Sequence, residues 1–456
     1  MPAAPSDSPN NPPPTHDAYA AVRISDYRRF ALGFVLSATG LQMLGLAVLW
    51  EIHERTDDAL MLGLTGIARA LPVVLLALPA GHVADRFNRK TIIVITQLAF
   101  SVLAGLLALA SYSQWPVWTY YVILLLMGCT RAFNGPARGS LLPQLVPSHV
   151  FHNAVTWNSG LFHLAATLGP VAAGWMIDAS TRMQGGGKHA WIVYLVVCVT
   201  SLIFSALAST LEPRIATRER EPLTLRSMFA GMRHVAAEKT VFGALTLDLL
   251  AVLFGGATVL LPIYASDILH VEATGLGILR AATPIGAMIM SIWLAHRPPF
   301  QQAGRTLLLA VAAFGVATIV FGLSTNFWLS VALLGVVGAV DNISVVVRHV
   351  LVQMRTPEHL RGRVGAVNTV FIECSNELGS FESGLVAKLF SPVISVVSGG
   401  IGTILVVLGV AGAFPALRNL GPLHDVEEER KADVPTAQHA TDASLAASGT
   451  SLTASR

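Results

Sequence analysis

Residues 81–90 read Gly81-His82-Val83-Ala84-Asp85-Arg86-Phe87-Asn88-Arg89-Lys90, with the charges confined to Asp85, Arg86, Arg89 and Lys90. Residues 60–82 and 91–112 on either side are almost wholly apolar. Each flank is about as long as the ~20 helical residues that a bilayer core of roughly 30 Å requires at 1.5 Å per residue. The charged decapeptide is therefore expected to connect two membrane crossings. Working outward, further apolar runs lie near 30–50, 118–137, 151–178, 191–210, 241–265, 274–295, 305–323, 327–347, 364–389 and 393–416. That makes twelve spans, and they are read as helices because an open sheet leaves its backbone unsatisfied in lipid. Arg23, Arg28 and Arg29 precede the first run as in a signal peptide, but the run is too long and lacks a small-x-small cleavage site.

Composition points the same way. Of 456 residues 53% are hydrophobic and only 12% charged, with a mean hydropathy of +0.60, against roughly 25% charged in a soluble domain. This excludes a soluble enzyme, a nucleic-acid binder and a disordered protein. The net charge of +3 is too small to imply a polyanionic partner. Cys129, Cys198 and Cys374 stand far apart in apolar runs, a spacing that fits neither a disulfide framework nor a zinc site.

Short cytoplasmic loops carry an excess of Lys and Arg. Loops after even-numbered spans hold Arg86, Arg89, Lys90, Arg138, Arg214, Arg218, Arg220, Arg297, Arg305, Arg355, Arg361 and Arg363, and those after odd-numbered spans only Arg55, Arg182 and Lys188. Both termini are accordingly expected to be cytoplasmic. Residues 1–24 and 419–456 are read as disordered tails, 25–211 as a first six-helix bundle, 212–240 as a cytoplasmic linker and 241–418 as a second bundle. Two short matches support related halves. Arg138-x-x-Leu141 with Pro147-x-His149 recurs as Arg348-x-x-Leu351 with Pro357-x-His359 (348 − 138 = 210), and Gly66-Ile67-x-Arg69-Ala70 recurs as Gly277-Ile278-x-Arg280-Ala281 (280 − 69 = 211). Many secondary transporters are built from such repeats around a midplane site.

With the loop placed between the second and third of twelve spans, its pattern of Gly81, three residues, Asp85-Arg86 and then two basic residues resembles the signature loop of the major facilitator superfamily. Asn88 stands where that pattern has glycine, and is read as the next residue best able to adopt a left-handed turn after a helix. The resemblance implies an all-α fold of two pseudo-symmetric six-helix bundles. It also implies a gating role for Gly81, Asp85, Arg86, Arg89 and Lys90, with Asp85 paired to a nearby arginine or facing a neighbouring helix N-terminus. Met127-x-x-x-Arg131-x-x-Asn134-Gly135 is similar to a motif of proton-coupled drug exporters, and Ala165-x-x-x-Gly169-Pro170-x-x-Ala173-Gly174 resembles the Gly-Pro motif of antiporters; close helix packing is the alternative account of that small-residue run. Leu247-Asp248-Leu249-Leu250, Asp341-Asn342-Ile343-Ser344, Arg361-Gly362-Arg363-Val364 and Asn376-Glu377-Leu378-Gly379 resemble the bacterial branch that includes enterobactin exporters and secretion-type permeases.

A charge at the centre of a membrane helix costs ~2.5–3.5 kcal/mol on insertion scales, so Asp248, Asp341, Glu373 and Glu377 are expected to face a cavity or partners. Arg131 is placed with them. Glu373 and Glu377 are one helical turn apart and repel when both are ionised, which suits a site that takes up and releases a proton; ties to Arg280, Arg348 or backbone groups are the structural alternative. The resulting expectation is a monomeric secondary active transporter of a bacterial inner membrane, a proton-coupled exporter of a small amphipathic, siderophore- or drug-like molecule. A proton-coupled importer and a non-transporting membrane sensor are the alternatives. The Gly-Pro motif and Arg131 weigh against the importer, and the ionisable residues on spans 7, 10 and 11 against the sensor. No nucleophile elbow, His-box or phosphate loop occurs, so neither an enzyme nor a cofactor or metal site is expected.

Overall fold

A computed structural model describes Asp17 and residues 19–183, 190–213, 232–233, 235–255, 257–298, 300–357 and 360–421. The apolar runs fold as helices whose polar ends extend past the runs themselves. These are α1 (Ser25–Thr56), α2 (Ala59–Arg86), α3 (Arg89–Tyr112), α4 (Trp118–Leu145), α5 (Phe151–Met183) and α6 (Trp191–Ser209), followed by α7 (Lys239–Phe254), α8 (Ala273–Ala295), α9 (Ala303–Leu323), α10 (Phe327–Arg355), α11 (Arg361–Leu389) and α12 (Pro392–Ala413). The expected tails and the 212–240 linker lie largely outside the described residues.

Among the described residues, ten helical segments are both long and apolar enough to cross a bilayer, and α4 and α11 are not among them. Length is not their shortfall, at 28 and 29 residues. Their sequences carry Arg131, Asn134 and Arg138, and Glu373, Asn376, Glu377 and Glu382, polar groups that lower the hydropathy of these two helices.

Two sequence expectations change locally. Asn88 does not adopt a left-handed turn; at φ −62° and ψ 116° it is extended, and its side chain accepts a hydrogen bond from Lys90 N as the N-cap of α3. Asparagine serves there because a side-chain oxygen satisfies an orphan N–H of the first turn, which glycine lacks. The seventh span is not one helix. α7 ends at Gly255 and the chain continues as a 3₁₀ turn (Ala257–Leu260), a single α turn and a π turn (Tyr264–Ile268). A side chain at Gly255 would meet the Phe314 ring and the Ala251 carbonyl.

In the first half α1 packs on α5 and α6, α2 on α4, and α3 on α4 and α6; in the second, α8 and α9 pack on α10, α9 on α12, and α7 on α11 and α12. The halves meet where α2 lies along α11 and α5 along α8, contacts as extensive as those within a half. Small residues permit this approach, as between membrane helices generally. A Cβ on Gly384 would sit 2.7 Å from Ala59 O, one on Gly277 2.6 Å from Pro170 O, and one on Gly174 would run into the Ala273 carbonyl.

The repeated arginines occupy matching places. Arg138 of α4 stacks over the Phe34 ring of α1 at 4.8 Å, and Arg348 of α10 pairs with Asp248 of α7. Each braces the fourth helix of its half against the first.

Candidate functional site: a charged cavity between the halves

A cavity of about 310 Å³ lies between the halves. Its charged lining comes from Arg69 of α2, Arg280 of α8, Asp341 of α10 and Glu377 of α11. Thr65, Thr283, Thr318, Asn376 and Ser380 add polar groups, and Leu49, Phe314, Phe321 and Leu334 add apolar wall. Gly255, at the break in the seventh span, also lines it. The break thus leaves non-helical backbone beside a polar cavity, where partners other than lipid are available.

Charges predicted from sequence are distributed over three places rather than one. Glu377 and Asp341 line the cavity. Glu373, one turn before Glu377, lies 3.9 Å from Arg131 Nη2 in an ion pair that joins α11 to α4 across the halves. Asp248 is paired with Arg348 inside the second half, both largely buried, and it lines a separate narrow recess that also touches Asp341. Arg348, named above as a partner for the α11 carboxylates, is therefore engaged by Asp248.

The Gly-Pro stretch of α5 sits at two helix crossings. A Cβ on Gly169 would lie 2.7 Å from Gln42 Cβ of α1, while Pro170 and Gly174 abut α8. In the signature loop Gly81 is buried, Arg86 is exposed, and Lys90 Nζ donates to Leu211 O at 2.8 Å at the end of α6. The side chain of Asp85 lies outside the described residues.

The cavity is closed on the side opposite the chain termini by contacts that sequence reasoning missed. Asp178 of α5 accepts hydrogen bonds from Ala273 N at 3.1 Å and Thr274 N at 2.7 Å. A carboxylate of one half thereby caps the N-terminus of α8 in the other, where the helix dipole favours negative charge. Arg182 donates to Glu272 at 3.2 Å, and Lys388 Nζ to Asp58 Oδ2 at 2.6 Å. His53 Nε2 of α1 lies 2.6 Å from Ser266 Oγ of the seventh span. Asp58 also caps its own helix through Leu60 N at 2.9 Å. The Lys388 hydrogen bond holds the Asp58 carboxyl below the usual carboxylate range, with partial burial opposing and the Leu60 N–H assisting. Toward the chain ends, a Cβ on Gly135, Gly139, Gly160 or Gly365 would meet nothing within 4 Å.

A second missed group is Glu51 of α1, 3% exposed. It accepts from Ser111 Oγ at 2.9 Å, Tyr120 OH at 2.7 Å and Tyr194 OH at 2.9 Å, and pairs with Arg55 at 2.5 Å. The network ties α1, α3, α4 and α6 together beside the closed face. Glu51 next to His53, Glu54 and Arg55 reads in sequence as the polar end of a span, and nothing local distinguishes it from an exposed residue.

Residues 16–439 match the protein family described as transmembrane secretion effector. The chain is 26% identical over 398 residues to the enterobactin exporter EntS of Shigella boydii serotype 18, covering 87% of this chain and 91% of that protein. The same values hold for EntS of Escherichia coli O1:K1. Among solved structures it is similar to a bacterial homologue of the lysosomal transporter Spinster in an inward-facing, unoccupied conformation (TM-score 0.63, 14% identity, 89% of this chain and 97% of that one). It is also similar to the POT family transporter PepTSo (TM-score 0.67, 12% identity, 86% of this chain and 98% of that one). At these identities the two structures speak for the fold.

Proposed function

The chain belongs to the transmembrane secretion effector family of major facilitator transporters, which are not enzymes, and from that membership we propose that it exports a small amphipathic, siderophore-like molecule in exchange for protons. The export direction and the siderophore class rest on the relatives named as enterobactin exporters. One observation within the chain supports the reading: ionisable side chains line a cavity between two halves that are latched together on the face opposite the chain ends. With the termini cytoplasmic in a bacterial inner membrane, that latch faces outward and the cavity is reached from the cytoplasm.

Coupling is assigned to α11 and its partners. Glu373 paired to Arg131 bridges the halves, and Glu377 lines the cavity one turn away. Protonation of Glu373 weakens its hold on Arg131, so the bridge releases as the halves rock and re-forms when the proton leaves. Asp341 is the second acidic group open to the solute. The signature loop with Asp85 forms the gate on the cytoplasmic face, and a single chain carries the complete pathway.

The test is release of enterobactin from cells that make it and lack their own exporter, with and without this protein and a protonophore. Protein-dependent release that the protonophore abolishes is expected, and Glu373→Gln is expected to lose it. Release indifferent to the protonophore removes proton coupling; no release of enterobactin removes the siderophore assignment.

A further inference from the structure

The repeat motif Gly-Ile-x-Arg-Ala places Arg69 on α2 and Arg280 on α8 at equivalent points of the two halves, and both side chains line the same cavity. Arg280 reaches out of the second half until its Nη1 and Nη2 lie 3.7 Å from where a Cβ on Gly45 of α1 would stand. Gly45 and Arg69 also share a small recess beside the cavity, so the two guanidinium groups converge on one spot. Among the described residues neither makes a hydrogen bond or an ion pair, and Nη1 of Arg280 is buried without a partner. The carboxylates of Asp341 and Glu377 share the cavity but do not come within ion-pair distance of either arginine.

A buried guanidinium with free N–H groups is costly, and two facing each other repel. An anion between them satisfies the donors and cancels the repulsion. The fork of a guanidinium matches two coplanar oxygens, as in a carboxylate, and the adjoining Phe314, Phe321 and Leu334 offer apolar wall for the rest of a ligand. The volume of about 310 Å³ suits a compact group, at the lower end of ligand sites.

We propose that Arg69 and Arg280 form a two-armed site for a planar, two-oxygen organic anion, so that the transported molecule enters with its anionic end between them. The inference deepens the transporter reading and rests on it for the word transported; the binding site stands independently. The test is calorimetric binding of 2-naphthoate and 2-naphthamide, near-equal in shape and different in charge, to the full chain in lipid nanodiscs. Wild type is expected to prefer the naphthoate by at least about tenfold, the scale of a charge-assisted hydrogen bond. Arg69→Gln and Arg280→Gln are each expected to weaken naphthoate about ten- to a hundredfold and leave the amide unchanged, and Arg280→Lys is expected to fall between. Thermal unfolding of each variant separates loss of binding from loss of fold. Equal binding of naphthoate and naphthamide, or equal weakening of both in folded Gln variants, refutes the site. The naphthoate preference in a protein that moves no solute across vesicles keeps the site and refutes the transporter reading. Transport of the cationic dye rhodamine 6G, undiminished in both Gln variants and without naphthoate binding, does the reverse.

Discussion

Buried charge decides what single residues do in this protein, and partners decide the outcome. Glu51 is enclosed by one arginine and three hydroxyl donors, and Glu51→Ala leaves Arg55 without its carboxylate. Removing one member of a buried pair costs about 3–5 kcal/mol, so a large fall in thermal stability is expected in detergent; an unchanged Tm counts against the network's structural role. Asp248 and Arg348 obey the same rule with a sharper readout. Asp248→Asn or Arg348→Leu alone is expected to lower the yield of folded protein, and the double variant Asp248→Leu with Arg348→Leu to recover most of it, because a matched apolar pair leaves no uncompensated charge. Singles as stable as wild type sink that assignment. Asp58 adds a pH dependence. Its carboxyl lies below the ordinary range when Lys388 is bound, so the contact contributes fully above the ordinary value near 3.9. The contribution is lost as pH falls through the lowered value. Closure of the latched face is therefore expected to be flat from neutrality to about pH 5 and to loosen only below about pH 4, as read by thiol labelling of a cysteine at Thr65 from that side. Loosening near pH 6 requires a different titrating group.

At the scale of elements, the crossings between halves depend on missing side chains. α5 meets α8 at Gly174 and Gly277, and α2 meets α11 at Gly63 and Gly384. Each pair lets backbones touch where a larger residue forces them apart. Gly174→Leu is expected to prop α5 off Ala273 and favour the form open on that face. Overpacking costs about 1–3 kcal/mol, so exposure of the cavity is expected to rise roughly ten- to a hundredfold, measured as the labelling rate of a cysteine at Thr65 in a background lacking Cys129, Cys198 and Cys374. A rate equal to that of the parent means that the crossing does not limit opening. The Gly-Pro stretch was legible as a motif because its spacing is local. Its use was not legible, since Ala273 and Gln42 are brought to it by the folding of distant helices. The shift of Asn88 from a turn residue to a helix cap has a similar cause: α2 runs on to Arg86, four residues past the expected end of its span, and α3 begins at Arg89, two before the expected start, which leaves Asn88 at the first turn of α3.

At the scale of the molecule, the proposed mechanism makes the latch between the halves one that must open and close as they rock. A short bifunctional thiol reagent joining cysteines at Asp58 and Lys388 is expected to arrest transport, and its cleavage to restore it; undiminished flux in the linked protein refutes rocking about this latch. The sequence by itself determined the succession of long helices, the short charged connections and the internal repeat, because hydropathy, helix length and motif spacing are properties of neighbouring residues. It also marked Arg131, Asp248, Asp341, Glu373 and Glu377 as groups that lipid excludes. Only the tertiary structure decided their partners: Arg131 with Glu373, Asp248 with Arg348, Asp341 and Glu377 in the cavity. It alone brought Asp178 to the N-terminus of α8, 95 residues along the chain, and Arg280 against Gly45. The reason is physical: a buried charge must find compensation, but any of several helices can supply it, and the packing of the halves makes the choice.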